Sequence, residues 1–187
     1  MKTVLELEGI AEILDVSSQA TRFEVEIGCG NGHFIAEHSA ANPDSFLMGV
    51  EIKRKRCVKS LKKVANRANV AIVCARAEDL IALLPENSVD AFHIYYPDPW
   101  PKSRHRRRRF FTLQNLQRLK ELLRLGGSIY FATDFFDYYL QAKLLLALHP
   151  GLTLSSTAAP RGAEDSLFGY RLRDAGRGSF RLCSIKS

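Results

Sequence analysis

Short apolar runs alternate with longer amphipathic stretches along this chain, and the alternation predicts its secondary structure. Residues Phe23 to Ile27 carry apolar side chains at every second position, which is typical of a strand. The glycine-rich turn Gly28 to Gly32 separates this strand from a helical stretch, His33 to Ala41. The further predicted strands are 46–50, 70–74, 90–96, 128–133, 152–156 and 179–185.

Helical spacing predicts the elements between these strands. One helix is expected from Lys53 onward, with Val58, Leu61, Val64, Ala65 and Ala68 on its apolar face. Its polar face is expected to carry Lys55, Arg56, Lys59, Lys62 and Lys63. The other predicted helices are 78–84, 110–125 with a cap at Gly126-Gly127, and 135–148. Strands that alternate with helices indicate an α/β fold with a mostly parallel sheet covered on both faces.

The composition indicates a basic protein of one domain. A length of 187 residues suits a single domain, 1–187, in which residues 1–22 form a short N-terminal extension. The net charge of +7 favours an acidic partner, and nucleic acid is the first candidate. The four scattered cysteines indicate reduced, mostly buried thiols, and the five histidines show no metal-binding spacing. With no signal peptide and no membrane-spanning run, we expect a cytoplasmic location without membrane association.

Polar residues stand at the ends of several predicted strands. Ligands of such sheets bind beyond the carboxyl ends of the strands, so residues placed there are expected to share one site. The residues at or just beyond a strand end are Glu26, the turn Gly28–Gly32, Glu51, Arg76, Asp98 and Asp134.

The glycine turn indicates the class of ligand. Its pattern is Gly28-x-Gly30-x-Gly32, with His33 where the last glycine of a dinucleotide motif would stand. Glu26, just before the turn, would repel a phosphate but attract an ammonium group, and Glu51 can bind a ribose diol. This pair suits S-adenosylmethionine, a cationic nucleoside without phosphates. Taken alone, the glycine pattern fits a purely structural turn equally well.

The segment Pro97 to Arg109 has the chemistry of a site that faces a polyanion. Pro97 and Pro99 restrict the backbone on both sides of Asp98, which holds this carboxylate with little freedom. Trp100 offers a stacking face for a base, and the cations that follow it suit a phosphate backbone.

These motifs together resemble the tRNA (guanine-N7-)-methyltransferase family. The resemblance rests on Glu26 to Gly32, Gly49-Val50-Glu51, Pro97 to Arg109 and Ala132-Thr133-Asp134, and it extends from about Phe23 to the C-terminus. It implies a Rossmann-like methyltransferase fold with a seven-stranded sheet and an antiparallel last strand. It also implies S-adenosylmethionine as donor and N7 of a guanosine in the variable loop of tRNA as target.

The family's functional residues transfer onto matching positions of this chain. The resemblance implies donor binding by Glu26, Gly28, Gly30, Gly32, Glu51, Arg76, Ala77 and Asp98, of which Asp98 is also the proposed catalytic residue. It implies substrate binding by Lys102, Arg104, His105, Arg106, Arg107, Arg108, Arg109, Asp134, Ser166 and Phe168. No metal is implied, and the protein is expected to act on tRNA as a monomer or homodimer.

Two parts of the chain depart from the family pattern, one at Arg76 and one in the segment Ser166 to Gly169, where Leu167 also offers no cation. Arg76 stands where the family has Asp or Asn, so a backbone contact such as that of Ala77 must replace a side-chain contact to adenine. Gly169 ends the segment Ser166 to Gly169 where the family has Thr-Lys-Phe-Glu, so the guanine edge lacks that carboxylate. Glu164 and Asp165 are the nearest possible replacements.

Guanine N7 has a free lone pair at neutral pH, so methyl transfer to it needs no catalytic base. Positioning is expected to dominate, and Asp98 would stabilise the positive charge that develops on the ring. Three alternatives remain: a methyltransferase for an exocyclic base amine, a tRNA-binding protein of this fold with weak activity, and a nicotinamide-dependent oxidoreductase. The last lacks both the final glycine and a Tyr-Lys or His relay.

Overall fold

The computed structural model describes residues 6–155, 162 and 166–187, and its centre is a single seven-stranded sheet. The strand order is β3-β2-β1-β4-β5-β7-β6. The strands are β1 Arg22–Ile27, β2 Ser45–Glu51, β3 Val70–Cys74, β4 Val89–Tyr95, β5 Leu123–Thr133, β6 Leu152–Leu154 and β7 Phe180–Lys186.

Helices connect most of these strands. The α-helices are α1 Ile10–Ser18, α2 His33–Ala41, α3 Arg54–Lys63, α4 Ala77–Leu83, α5 Leu113–Leu122, α6 Phe136–Leu148 and α7 Leu167–Asp174. Two 3₁₀ helices, Leu7–Gly9 and Ser103–Arg108, complete the described elements. No helix in these described ranges is long and apolar enough to cross a membrane.

The sheet is mostly parallel, as predicted. β1 pairs in parallel with β2 and with β4, β2 with β3, and β4 with β5. β7 runs antiparallel to both of its neighbours, β5 and β6. Because β1 to β4 are parallel and adjacent, their carboxyl ends meet at one edge, which is where this topology places a ligand.

Two apolar layers cover the faces of the sheet. Helices α1, α4, α5 and α6 contribute to the larger buried cluster, together with every second residue of β1, namely Phe23, Val25 and Ile27. Helices α2 and α3 cover the opposite face, where Ile35 and Cys57 are fully buried. The alternation along β1 therefore directs Glu24 and Glu26 toward the α2 face. All four cysteines are free thiols, and three of them are buried.

The buried face of α3 differs from the predicted one. Cys57 and Ser60 are buried inside the helix, whereas Val58 is 40% exposed. The helix ends at Lys63, so Ala65 and Ala68 lie beyond it and are exposed. Val64 is buried and Leu61 packs against the same cluster, as predicted, whereas Val58, Ala65 and Ala68 do not belong to the contact face.

The predicted boundary between α5 and β5 is wrong as well. The helix ends at Leu122 and the strand begins at Leu123, so Gly126-Gly127 is not a helix cap. Leu123 pairs with Val89, whereas Ser128 pairs with Ala91, and the residues between them form an irregularity in the strand. Pairing with β4 thus takes Leu123 and the residues after it into the sheet.

Helix α7 was not predicted. Its N-cap is Ser166, whose hydroxyl accepts a hydrogen bond of 3.0 Å from the backbone N–H of Gly169. An N-cap of this kind satisfies a backbone donor that would otherwise lack a partner at the start of the helix. Residue 156, the end of a predicted strand, lies outside the described residues.

Candidate functional site

A cavity of about 830 Å³ lies at the carboxyl ends of β1 to β4. Its walls include eight residues singled out from the sequence, namely Gly28, Glu51, Arg76, Ala77, Asp98, Arg107, Arg108 and Arg109. They come from four separate loops that follow four strands. Of the strand-end residues expected to share one site, Gly28, Glu51, Arg76 and Asp98 line this cavity, whereas Glu26, Gly30, Gly32 and Asp134 do not.

The glycine turn packs closely against α3. Gly28, Gly30 and Gly32 all have positive φ angles, between 56° and 76°, which other residues rarely adopt. A Cβ atom at Gly32 would lie 2.7 Å from the Cα of Ser60, and the Ser60 hydroxyl donates to the carbonyl oxygen of Gly30 at 2.9 Å. Glycine is thus required at Gly32 both for backbone conformation and for space. Neither Gly30 nor Gly32 lines the cavity.

Glu26 lies at the end of β1 and is buried, with 5% exposure. Its Oε2 atom has no hydrogen-bond partner among the described residues. Burial, together with a smaller effect of the neighbouring carboxylate of Glu51, raises the pKa of this carboxyl group to about 8. Burying a carboxyl group without a hydrogen-bond partner costs free energy unless a ligand supplies that partner. A cationic group of a ligand would stabilise the carboxylate form. Glu26 therefore fits the ammonium group of the expected donor.

Glu51 ends β2 and forms part of the cavity wall. Its Oε1 atom accepts a hydrogen bond of 2.8 Å from the backbone N–H of Lys53, and Arg56 lies 3.8 Å from its Oε2 atom. These contacts leave lone pairs on the carboxylate for further donors. The arrangement is compatible with hydrogen bonds from a ribose diol.

The loop after β4 holds strained residues on both sides of Asp98. Tyr96 and Trp100 have positive φ angles of 49° and 43°, which are unfavourable for aromatic residues. Asp98 is exposed at the cavity wall, and its carboxylate makes no hydrogen bond or ion pair within the described ranges. Arg108 lies over the Trp100 ring, 4.9 Å from its centroid, so the indole already has one cationic neighbour. Strain of this kind is typical of functional loops.

Most of the basic segment is exposed. Lys102 precedes the 3₁₀ helix Ser103–Arg108, in which Arg104, Arg107 and Arg108 are exposed and His105 is half-buried. Arg106 is exposed too but pairs with Asp137 at 2.8 Å.

Arg109 does not fit the RNA-contacting role predicted for it. Its side chain is 1% exposed, and its guanidinium group donates to Pro99, Gln141 and Asp137 at 2.6 to 2.8 Å. The same group lies 4.7 Å from the centroid of the Tyr138 ring. A side chain so enclosed offers no surface to a phosphate, so we correct its assignment. Arg109 anchors the Pro99 end of the Asp98 loop to α6.

Seven of the predicted substrate residues lie outside the cavity wall. They are Lys102, Arg104, His105, Arg106, Asp134, Ser166 and Phe168. Asp134 follows β5 and is 4.0 Å from Arg177, whereas Ser166 caps α7. Phe168 is 47% exposed and stacks on Tyr96, with 5.7 Å between ring centroids. Because Tyr96 lines the cavity, this contact places α7 beside it. Gly169 is buried, and Glu164 and Asp165 lie outside the described residues.

One polar cluster was missed entirely from the sequence. The Oε2 atom of Glu24 accepts hydrogen bonds from His38 at 2.9 Å and from His93 at 2.7 Å. His93 is also 2.9 Å from the hydroxyl of Tyr95. Ligand atoms of the first three residues lie within 4.8 Å of one another, the spacing of a possible metal site, although sequence spacing gave no such signal. The sequence offered one indication of a polar cluster here, since Glu24 and Glu26 lie on the same face of β1.

Sequence comparison relates the chain to methyltransferases. Residues 20–165 match a family model described as "Putative methyltransferase". A tRNA (guanine-N(7)-)-methyltransferase of Geobacter metallireducens is 36% identical over 171 residues, which cover 89% of this chain and 80% of the relative. Proteins of the same name from Rhodopirellula baltica and a Jannaschia species are 33% and 39% identical, over 87% and 63% of this chain. The chain spans 65% and 50% of the lengths of these two relatives.

Structural comparison supports the same type of fold. The 16S rRNA methyltransferase KamB has a TM-score of 0.66 at 18% identity, over 95% of this chain and 93% of its own. A precorrin-6y C5,15-methyltransferase from Geobacter metallireducens has a TM-score of 0.61 at 17% identity, over 96% and 87%. At such low identity these likenesses concern the fold alone.

Proposed function

Because the chain belongs to the tRNA (guanine-N7-)-methyltransferase family, we propose that it transfers a methyl group from S-adenosylmethionine to N7 of a guanosine in the variable loop of tRNA. The observation that carries this proposal is the convergence of Glu51, Asp98, Arg107 and Arg108 on one cavity. The two carboxylates can bind a cationic nucleoside, and the two arginines can bind a polyanion. Both pairs border the same cavity. The protein acts as one domain, in the cytoplasm, as a monomer or homodimer.

Residues at the carboxyl ends of β1 to β3 would hold the donor. Glu26 would bind its ammonium group, and Glu51 would accept hydrogen bonds from its ribose. The backbone at Ala77 serves the adenine, because Arg76 has no carboxylate or amide and is 3.6 Å from Glu78. When bound, the donor supplies a methyl group on a sulfonium that is ready for displacement.

Asp98 is the catalytic residue of this proposal. The methylated guanine ring carries a positive charge, and a nearby carboxylate stabilises that charge as it develops. Because N7 has its own lone pair, the protein needs no base at this atom. Its remaining task is to orient the target ring, and this is supported by the strained backbone on both sides of Asp98.

The exposed cations after Trp100 hold the RNA backbone. Arg104 and Arg107 are exposed on the 3₁₀ helix, which adjoins the cavity wall. Lys102, Asp134 and Phe168 extend the substrate surface beside it. Gly169 stands where the family has a glutamate, so it offers no carboxylate to the guanine. Selection of guanine therefore depends on the contacts of Lys102, Asp134 and Phe168.

The decisive experiment is methyl transfer from labelled S-adenosylmethionine to tRNA lacking N7-methylguanosine, followed by nucleoside analysis. Labelled N7-methylguanosine in the variable loop is the expected product. A methylated adenine or cytosine would replace the proposal with a methyltransferase for another base. Tight tRNA binding without transfer would favour the RNA-binding alternative, which Arg76 and Gly169 suggest.

The role of Asp98 is tested by Asp98→Asn, which removes the charge and keeps the size. Asp98 is also an expected donor contact, so we expect kcat to fall by more than donor affinity does, because the carboxylate acts chiefly on charge that develops during transfer. Unchanged turnover with intact donor binding would refute the electrostatic role.

A further inference from the structure

Helix α3 presents an unusual concentration of positive charge. Its ten residues include six cations and no acidic residue, and all six cations are exposed. Lys55, Lys59 and Lys62 are spaced at i, i+4 and i+7, which places them on one side of the helix. Cys57, Ser60 and Val64 are buried against the sheet on the other side. We call the outer surface formed by Lys55, Lys59, Lys62 and Lys63 the α3 basic face.

Most of this charge is not neutralised within the protein. Arg54 pairs with Glu6 and Arg56 lies 3.8 Å from Glu51. By contrast, Lys55, Lys59 and Lys62 make no ion pair with any residue in the described part of the chain. Unpaired cations are common on a solvated helix and do not by themselves indicate a binding surface. The position of these lysines relative to the cavity is therefore the evidence to consider.

The inner end of α3 lies at the rim of the cavity. Lys53 and Arg56 line the cavity together with Arg107 and Arg108 of the basic segment after Trp100. Lys55, the first residue of the α3 basic face, directly precedes Arg56, so this face adjoins a cavity wall that it shares with the proposed RNA-contacting segment.

The outer end of α3 continues toward α7. Burial lowers the pKa of His33, and the cations of Lys63 and Arg171 lower it further against the opposing charge of Glu37. Lys63 and Arg171 therefore both lie close enough to His33 for their charges to act on it. Burial also lowers the pKa of Lys63; the nearby charge of Glu37 opposes this shift, and that of Lys59 acts in the same direction as burial. Cations therefore continue from the cavity rim along α3 to Arg171 of α7, with the carboxylate of Glu37 close to Lys63.

We propose that the α3 basic face is a second RNA-binding surface, which holds phosphates of the substrate RNA away from the target nucleotide. The proposal rests on the function proposed above, since it assigns this surface to the same RNA. Lys55 to Lys62 span about 10 Å along the helix axis at 1.5 Å per residue. A duplex presents several phosphates over that length. An apolar partner is not favoured, because Val58 is the one large hydrophobic residue exposed on this helix.

The test compares two double variants with the same change in charge. Lys59→Gln with Lys62→Gln neutralises the α3 basic face, and Lys120→Gln with Lys143→Gln serves as the matched control. Lys120 and Lys143 belong to α5 and α6, which cover the opposite face of the sheet. Affinity for full-length tRNA is measured between 50 and 200 mM salt, and methylation kinetics are measured in parallel.

Each phosphate contact contributes about 0.9 to the slope of log affinity against log salt on a duplex. Because the α3 variant lacks two such contacts, we expect the magnitude of its slope to be smaller by about 1.8. When salt is raised from 50 to 200 mM, the wild type should therefore lose roughly tenfold more affinity for tRNA than the variant loses. KM for tRNA should rise while kcat and donor affinity stay unchanged, and the control should match wild type.

The outcomes separate this proposal from the function on which it rests. If wild type forms N7-methylguanosine and the α3 variant keeps the control's salt slope and KM, the second surface is refuted and the function stands. If no N7-methylguanosine forms but the α3 variant alone loses salt slope, the methylation proposal fails and the RNA-binding surface is supported. Equal losses in both double variants would indicate a nonspecific effect of net charge and would also refute the surface.

Discussion

Donor binding should be coupled to the ionisation of Glu26, and this coupling can be measured. The free protein holds this carboxyl group at a pKa of about 8, chiefly because it is buried. If the carboxylate form binds the ammonium group of S-adenosylmethionine, the protein must release a proton when it binds the donor below pH 8. Affinity should therefore increase as the pH rises toward 8.

The size of the effect follows from the pKa. Each pH unit below 8 costs about 1.4 kcal/mol for deprotonation of the carboxyl group. The apparent dissociation constant increases in proportion as the competent fraction of the protein falls. Between pH 7.5 and 5.5 we therefore expect affinity to weaken by roughly 100-fold, or about 2.7 kcal/mol. The pH range stops at 7.5 because the α-amino group of the donor must stay protonated to pair with Glu26. Such a group has an ordinary pKa of about 7.7–8.0.

Isothermal titration calorimetry with S-adenosylmethionine measures both quantities. Repeating the titration in buffers with different ionisation enthalpies gives the number of protons released, which should approach one at pH 6.5. Glu26→Gln should weaken binding at pH 7.5 and remove both the pH dependence and the proton release. Glu78→Gln changes another carboxylate of the cavity wall and should retain them.

A dissociation constant in the wild type that does not change over this pH range, with no proton release, would refute the reasoning. It would mean either that Glu26 is already ionised in the free protein or that it does not meet the ammonium group. The two are separated by Glu26→Gln, which weakens binding only in the first case.

Two further predictions concern stability. Gly28→Ala should cost about 1–2 kcal/mol for its left-handed backbone, and Gly32→Ala should cost more because its Cβ would lie 2.7 Å from Ser60; equal losses in urea denaturation would contradict the close packing. Burial alone would raise the pKa of Glu24, but hydrogen bonds from His38 and His93 hold it well below its usual value, while burial lowers the pKa of His93. Both groups bind fewer protons when folded, so stability should fall as the pH drops below about 6.5 and again below about 4.5, and Glu24→Gln should remove the lower step.

The strand positions were predictable because the signal is local. β1 and β3 carry short apolar runs between turn residues, and their observed limits lie within one residue of the expected ones. The start of α2 was predictable too, since three glycines at alternate positions favour a turn before the helix.

The errors arose where the pattern allowed two structures. The run of leucines before Gly126 suits a helix as well as a strand, and pairing of Leu123 with Val89 decided for the strand. In α3 the apolar spacing continued beyond the residue where the helix ends. Such boundaries depend on contacts with residues distant in sequence, which periodicity does not contain.

The sequence by itself determined the family and which loops carry the site, since motifs at strand ends meet at one edge of any parallel sheet. Only the tertiary structure decided the state of individual side chains. Burial beside Glu51 keeps Glu26 protonated near neutral pH, and contacts from α6 enclose Arg109 although its neighbours are exposed. These properties depend on loss of solvent and on distances between groups far apart in the chain. Residue order alone specifies neither quantity.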